Sequence, residues 1–184
     1  ILITINRRFL LSYITHTDSQ FENFYLATLY APPSNPNKSK FYRELSDFDF
    51  LTSLITLPGA RIIVTGDFNC QMPSNSNLLT NSRSPWKALI SHNMINCLNS
   101  DQQTLPTYRS GAHLSTIDYI FASSHMYSSL QASDVEYIST AWTDHALLKA
   151  SFKMNKSASG PGLWRLNPRL LSNHYFTDKL SDLV

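Results

Sequence analysis

Short apolar runs separated by polar breaks alternate along the chain. Runs rich in β-branched and aromatic residues predict strands, because such side chains fit a pleated, half-buried surface. The run at 61–65 is almost wholly apolar, which is typical of a strand buried on both faces. Strands are predicted at residues 1–5, 9–14, 24–30, 61–65, 95–98, 116–122, 135–138 and 146–152.

Two segments show helical spacing instead. In residues 41–55 the apolar side chains recur every three or four positions, which predicts a helix with one buried face. Pro85 and Ser84 predict the start of a second helix that runs to residue 92, with proline in its first turn and serine as its cap. Strands with helices between them predict an α/β sandwich, in which helices cover two sheets that pack on each other, rather than an all-β barrel.

Composition narrows the class of protein. The 184 residues suffice for one domain with a core, but not for two full domains. Apolar residues make up 42% of the chain, too many for a disordered polypeptide, yet no apolar run approaches the roughly 18 residues of a membrane span. We expect no membrane partner. Cys70 and Cys97 have no CxxC neighbour, which argues against a zinc site or disulfide scaffold and favours an intracellular location, nuclear or cytoplasmic.

The net charge of +2 is unevenly distributed. Residues 149–179 carry six basic side chains against Asp178, a net charge of +5, which leaves −3 for the rest. A basic tail on an acidic body is compatible with polyanion binding, with a metal ion between the acidic body and phosphate; the alternative is an ordinary solvated segment. The Ser/Gly/Pro-rich stretch 157–162 predicts a linker, which divides the chain into a domain at 1–154 and a linker at 155–184.

A strand end with two polar side chains is the first candidate for chemistry. The apolar strand at 61–65 leads into Gly66, Asp67, Phe68 and Asn69. Alternation points Asp67 and Asn69 to the same side, where both could converge on one phosphate or metal ion. The alternative is an Asx-type turn after the strand, which this sequence forms readily.

Two further candidates lie towards the carboxyl terminus. Asp118 is the only charge within the apolar strand at 116–122, and a buried carboxylate needs a hydrogen-bonding or charged partner. His145 could be that partner, since a carboxylate on one imidazole nitrogen fixes the tautomer and strengthens the other nitrogen as a base. Asp144 beside it could supply a ligand for a hard cation. The alternatives are a strand-rim position for Asp118 and ordinary packing for the histidine.

The order of these motifs is more specific than any one of them. GDFN, then STIDYIF, then TDH before an apolar strand resembles the endonuclease/exonuclease/phosphatase superfamily, with the DNase I-like and apurinic-endonuclease-like fold. The segments LYAPP at 29–33 and GPGLWRLN at 160–167 narrow the resemblance to the endonuclease domain of non-LTR (LINE-type) retrotransposons. The resemblance implies a four-layer α/β sandwich of two packed mixed sheets flanked by helices, here lacking its first strands. It also implies Mg²⁺ or Mn²⁺ as cofactor, double-stranded DNA as substrate, and a reverse transcriptase in cis beyond the linker at 155–184.

The same resemblance implies a role for each matching residue. Asp67 would orient or activate the attacking water, and Asn69 would hold the scissile phosphate. His145 would be a general base or stabilise the phosphate, with Asp118 bonded to it. Asp144 would help to bind the metal. The expected product is a nick with a free 3′-hydroxyl, which a retroelement uses to prime reverse transcription.

Two more residues complete the expected site. Tyr30 would contact the phosphate, and Thr107, ahead of the IDYI motif, would line the site. Thr143 stands where the family usually has serine before the Asp-His pair, and it keeps a hydroxyl group there.

One departure from the family pattern concerns the amino-terminal part. The family begins with a strand carrying Asn and, after a helix, a second strand ending in a metal-binding Glu, and neither Glu22 nor Glu44 ends an apolar strand. The chain begins with Ile and ends inside a polar, helix-like run, so we expect a fragment with impaired activity. Two alternatives stay open: a phosphatase or phosphodiesterase of the same fold acting on small or lipid substrates, and a non-catalytic remnant that binds nucleic acid.

Overall fold

Ten strands and four α-helices make up the part of the chain that the computed structural model describes, which is residues 3–17, 21–73 and 84–154. The predicted linker at 155–184 lies outside these residues. The strands are β1 (Ile3–Ile5), β2 (Phe9–Ile14), β3 (Phe24–Tyr30), β4 (Ile62–Asp67), β5 (Met94–Asn96), β6 (Tyr108–Ser110), β7 (His113–Ser115), β8 (Asp118–Ser123), β9 (Leu130–Glu136) and β10 (Leu147–Phe152). The helices are α1 (Asn35–Ser46), α2 (Asp49–Thr56), α3 (Pro85–Asn93) and α4 (Ser124–Tyr127).

Six of the strands form a central mixed sheet in the order β1–β2–β3–β4–β8–β5. Strands β3 and β4 run parallel, with Tyr30 opposite Asp67. Strands β4 and β8 run antiparallel, with Asp67 opposite Asp118. The carboxyl ends of β3 and β4 and the amino end of β8 therefore meet at one edge of the sheet, and this edge holds two carboxylates side by side.

A separate apolar core covers each face of this sheet. Helices α1, α2 and α3 pack on one face, where Leu11 and Val64 are fully buried. The hairpin of β9 and β10 packs on the other face, where Leu148 contacts a cluster that includes Ile63 and Ile120. Strand β4 is thus covered on both sides, as its apolar sequence predicts. The predicted α/β sandwich of two packed sheets with flanking helices is confirmed, and the described residues form three of its layers.

The single helix predicted between β3 and β4 is wrong, because this segment forms two helices. Helix α1 already begins at Asn35, with Pro36 in its first turn, where the fixed φ of proline suits a helix. The chain leaves helical geometry at Phe48, whose ψ of 91° is extended. Leu45 and Leu51 lie on either side of this break and are buried in the same core, so the apolar spacing continues across it and hides it.

A short hairpin of β6 and β7 is a second feature that the apolar pattern did not predict. Gly111 makes its turn with a φ of +59°, a left-handed conformation that glycine adopts without strain. The hairpin strands are polar and largely exposed, so they form no apolar run. Tyr108 in β6 bridges to His145, which ties the hairpin to the segment before β10.

Cys70 and Cys97 are both free thiols. Across the described ranges, no helix has the length and apolar character needed to cross a membrane.

Candidate active site

Asp67, Asp118 and His145 meet at the sheet edge where β4 ends and β8 begins. One oxygen or nitrogen atom from each of these side chains lies within 4.8 Å of the other two. All three residues are partly buried, so the fold holds them while solvent still reaches them. The register of β4 against β8 and the bridge from Tyr108 to His145 bring the three together. We call this group the acid–histidine cluster.

Asn69 holds the Asp67 carboxylate from two positions away. Its backbone N–H donates to Asp67 Oδ1 at 2.7 Å, and its Nδ2 donates to Oδ2 at 2.9 Å. Nδ2 also donates to the carbonyl of Ala31 at 2.7 Å, so both of its hydrogens are used. The φ of Asn69 is +46°, a left-handed conformation that asparagine tolerates better than most residues. The Asx-type turn of the second interpretation therefore forms, and it directs Asp67 into the cluster. Convergence of the two side chains on a phosphate or metal ion stays a prediction.

Gly66 allows β3 and β4 to approach closely beside the cluster. Its φ is +135°, and a Cβ atom at this position would lie 1.9 Å from the carbonyl oxygen of Leu29 on β3. A side chain there would collide with backbone that cannot move aside. The packing of β4 against β3, immediately before Asp67, thus requires glycine.

Asp118 and His145 form the hydrogen bond that the sequence predicted, with 3.0 Å between Oδ2 and Nδ1. This bond orients the imidazole and leaves Nε2 on the side of Asp144, whose Oδ1 is 3.9 Å away. Burial lowers the pKa of His145, but the hydrogen bond and negative charge of Asp118 outweigh burial and the net shift is upward. A raised pKa favours the imidazolium, the form that can donate a hydrogen bond to a phosphate oxygen.

The pKa of Asp67 is also raised. Burial is the largest cause, and the nearby charge of Asp118 adds to it. The hydrogen bond from the Asn69 backbone and the charges of His145 and Lys38 oppose the shift without cancelling it. A carboxylate with a raised pKa accepts a proton more readily, which suits Asp67 to a role as a base.

Thr107 lies beneath the cluster and joins its parts. The side chain is almost fully buried, and its hydroxyl oxygen accepts hydrogen bonds from the backbone N–H groups of Ile117 and Asp118, both at 3.0 Å. Its carbonyl accepts from the N–H of Ala146 at 2.7 Å, next to His145. The residue that the resemblance assigned to the lining of the site therefore lies where it positions both Asp118 and His145.

Tyr30 and Asp144 lie at the exposed rim of the cluster. Tyr30, the last residue of β3, is 52% exposed, and the Arg8 guanidinium carbon is 4.9 Å from its ring centroid. Asp144 has a half-exposed side chain, and its backbone carbonyl accepts a hydrogen bond from the backbone N–H of Arg109 at 2.8 Å. Arg8 was not predicted from the sequence, because a lone arginine belongs to no motif.

Trp142 is a second rim residue that the sequence analysis missed. It is 86% exposed and lies two positions before Asp144, in a turn where its N–H donates to the carbonyl of Ser139 at 3.0 Å. The same turn carries Thr143, whose hydroxyl accepts from the N–H of His145 at 3.1 Å. An exposed indole beside the cluster is suited to stack on a nucleic-acid base.

The cluster offers the donors that a hard divalent cation prefers. The oxygens of Asp67 and Asp118 lie close enough for a cation with ligand distances of roughly 2.0–2.6 Å to bridge, and Asp144 adds a carboxylate at the rim. The residues present therefore fit such an ion, which would be held by aspartates. The three glutamates of the chain pair with other groups, Glu22 with Arg61, Glu44 with Asn6 and Lys40, and Glu136 with Lys149.

Known proteins resemble this chain in both sequence and fold. The family model described as endonuclease-reverse transcriptase matches residues 24–149. No curated protein matches the chain. The endonuclease domain of TRAS1, a telomere-specific non-LTR retrotransposon, is 14% identical, with a TM-score of 0.55 over 84% of this chain and 67% of that one.

Two further solved structures resemble the chain at similar levels. A 3′ phosphatase, NExo from Neisseria, bound to a product DNA hairpin, is 18% identical, with a TM-score of 0.55 over 71% of this chain. The catalytic domain of APE2 from Xenopus laevis is 18% identical, with a TM-score of 0.54 over 83% of this chain and 58% of that one. The chain spans 61% of the length of the Neisseria structure. These likenesses show a DNase I-like α/β sandwich.

Proposed function

This chain belongs to the endonuclease-reverse transcriptase family, and we propose that it is the endonuclease of a non-LTR retrotransposon, which nicks double-stranded DNA with Mg²⁺ or Mn²⁺. Its fold is of the nuclease and phosphodiesterase type. The acid–histidine cluster carries the proposal, because it combines a base, a carboxylate–imidazole pair and metal donors at one accessible edge. Phosphodiester hydrolysis needs positioned water and stabilisation of charge on the phosphoryl and leaving oxygens.

We assign the attacking water to Asp67, whose burial and raised pKa suit it to accept a proton. Asn69 keeps this carboxylate in place. Because both hydrogens of its Nδ2 already have acceptors, Asn69 reaches the scissile phosphate only by exchanging its bond to Ala31. His145, held by Asp118 through Nδ1, presents Nε2 to a phosphate oxygen or to the attacking water.

The carboxylates are also the groups that would hold the metal. Asp67, Asp118 and Asp144 would hold a divalent ion, which would supply positive charge to the phosphoryl and leaving oxygens. Tyr30, which is exposed at the rim, would contact the phosphate through its hydroxyl. Removing divalent ions with EDTA should abolish nicking, and excess Mg²⁺ or Mn²⁺ should restore it. Nicking that persists in EDTA would contradict metal dependence.

A plasmid assay tests the activity directly. Supercoiled plasmid with Mg²⁺ should be converted to open circles, and His145→Ala or Asp118→Ala should lower that rate by about 10²-fold or more, as loss of an acid–base group does. His92→Ala is the matched control, because His92 lies on α3 and its Nδ1 pairs with the Ala88 carbonyl of the same helix. Nicking by the parent that survives both cluster substitutions would contradict the proposal. The impaired turnover expected from the sequence stays a prediction, which the parent's rate tests.

We further propose that residues 155–184 link the endonuclease to a reverse transcriptase in the intact, intracellular protein. The family description and the basic, Gly/Pro-containing sequence of this stretch support the proposal. Reading the transcript beyond the codon for Val184 tests it. An open frame encoding a reverse transcriptase is expected, and an unrelated domain in that frame would contradict it.

A further inference from the structure

A basic pocket of about 480 Å³ opens beside the cluster, between α1, the loop after β4 and the start of α3. Lys38, Arg43 and Lys87 line it, together with Tyr42 and Cys70. The lining residues that the structure describes include no acid. Within the described ranges, no carboxylate lies at ion-pair distance from any of the three cations.

Backbone carbonyls, rather than acids, hold two of these cations. Lys38 Nζ donates to the carbonyl of Asn69 at 2.7 Å and to that of Pro33 at 3.4 Å. Lys87 Nζ donates to the carbonyl of Gln71 at 2.7 Å. A carbonyl orients an ammonium group without neutralising its charge. The pocket therefore keeps a positive potential that favours an anion.

The pocket adjoins the cluster through a short chain of contacts. Lys38 bonds to Asn69, and Asn69 bonds to Asp67. Each strand of duplex DNA carries a phosphate about every 3.4 Å along the helix axis. A strand whose scissile phosphate lies at the cluster must therefore place another phosphate close by, and the basic pocket lies on the α1 side of Asn69.

We propose that the basic pocket binds a backbone phosphate of the cleaved DNA strand, next to the scissile phosphate. This inference rests on the proposed function and adds a subsite to it. Lysine and arginine are the side chains that neutralise DNA phosphates, and release of counterions from those phosphates drives such binding. The volume exceeds that of one phosphate group, which leaves space for the attached sugar. Free inorganic phosphate shares the same chemistry, so the test separates the two sources.

Cys70 provides a direct reporter because it lines the pocket, whereas Cys97 is only 2% exposed and burial raises its pKa to about 12. We expect a short DNA duplex to slow alkylation of Cys70 several-fold in EDTA, measured by mass spectrometry. Inorganic phosphate at the same phosphate concentration should leave the rate unchanged. Equal protection by inorganic phosphate would reassign the pocket to small anions, and bound DNA that leaves Cys70 unprotected would also overturn the proposal.

A second test of the proposal removes positive charge from the pocket. The variant Arg43→Gln with Lys87→Gln should reduce the slope of log Kd against log salt by about 0.9, the contribution of one lost phosphate contact. It should also abolish the protection of Cys70. Lys149→Gln with Lys153→Gln removes the same charge on and after β10, away from the pocket, and should change neither readout. A pocket variant with the parent's slope and protection would overturn the proposal.

The nicking assay separates failure of the pocket from failure of the function. If the parent protein binds DNA with these effects but never nicks it, the phosphate subsite is supported and the proposed endonuclease activity is contradicted. If the parent protein nicks DNA and the pocket variant has the same salt slope and the same protection of Cys70, only the subsite proposal is contradicted. A parent that does not bind DNA would overturn both.

Discussion

The acid–histidine cluster has two halves that are built differently. Asp67 is held by Asn69, two positions away, through bonds inside one turn. Asp118 and His145 lie 27 positions apart and meet because Thr107 holds both of their segments. The first half is local in sequence, and the second depends on the assembled sheet. We therefore expect substitutions in the local half to change mainly the ionisation of Asp67. Substitutions in the long-range half should lower the stability of the fold as well.

Gly66 is the strongest test of this comparison, because it lies in the local half yet depends on a distant strand. Gly66→Ala would bring Cβ to 1.9 Å from the Leu29 carbonyl, at a φ that alanine avoids. We expect a loss of about 3 kcal/mol or more in the free energy of unfolding, measured by thermal denaturation. Gly59→Ala is the matched control, since its φ is also positive but nothing lies within 4 Å of the added Cβ. Equal stability of the two variants would show that the local half does not depend on β3.

Thr107→Val should produce the next largest effect, through the long-range half. It leaves two partly buried backbone N–H groups, those of Ile117 and Asp118, without an acceptor. We expect a loss of about 2–4 kcal/mol in denaturant unfolding, at roughly 1–3 kcal/mol per unsatisfied group, with rescue by Thr107→Ser. Thr104→Val removes a hydroxyl from an exposed site and should cost less. A Thr107→Val protein as stable as the parent would show that the cluster does not depend on the hydrogen bonds accepted by the Thr107 hydroxyl.

Asp118→Asn should lower the pKa of His145, because the amide still accepts a hydrogen bond but carries no charge. The pKa of His145 in the folded parent lies above its unfolded value, so its contribution to stability is present at low pH and is lost as pH rises through the folded pKa. That contribution should shrink in the variant. NMR titration of the imidazole measures the shift, with His92 as the internal reference. An unchanged His145 pKa would mean that Asp118 does not control the imidazole.

Asn69→Ala should change mainly the ionisation of the Asp67 carboxylate. Loss of the Nδ2 bond removes support for the ionised carboxylate of Asp67, so the already raised pKa should rise further. Because a raised carboxyl pKa disfavours the folded state once the group ionises, stability should fall as pH rises through that pKa. The acidic limb of the pH–rate profile should move to higher pH, with about 1 kcal/mol lost from the left-handed backbone. A limb that moves to lower pH would contradict this role.

Trp142→Ala should have the smallest effect on stability, within about 0.5 kcal/mol, because the side chain lies almost wholly in solvent. If the indole stacks on DNA, KM should rise while kcat stays unchanged. Tyr127→Ala, an exposed aromatic on α4, is the control. Steady-state nicking kinetics measure both variants, and an unchanged KM would exclude stacking by Trp142.

The local half of the site was predictable from sequence, and the long-range half only in outline. The orientation of Asp67 and Asn69 after a short apolar run can be predicted, because side-chain alternation along a strand and the Asx turn both depend only on neighbouring residues. The pairing of Asp118 with His145 was expected from the cost of a buried carboxylate. The resemblance placed Thr107 at the site, but its hydrogen bonds beneath both segments were not predictable, since they depend on how the polar β6–β7 hairpin returns to β8.

The bounds of strands and helices were likewise predictable where neighbouring residues set them, and not where distant packing did. β2 and β3 have the predicted bounds because each is a continuous apolar run between polar breaks. The break at Phe48 was missed because residues on both sides of it pack on one core, so the spacing never changes. The basic pocket has no sequence signal, because Lys38 and Lys87 meet only when α1 and α3 lie side by side.

The pairing of β4 with β8 has a consequence for the order of folding. Thr65 on β4 bonds to the carbonyl of Tyr119 on β8, 54 positions along the chain, whereas β2–β3 and β9–β10 each join strands that are consecutive in the chain. Closing a long loop costs more entropy than closing a short one, so the consecutive pairs should form first. The two carboxylates of the cluster face each other only once β8 docks. During refolding, nicking activity should therefore return after most of the circular dichroism signal of the sheets, and a lag between the two would time the docking of β8.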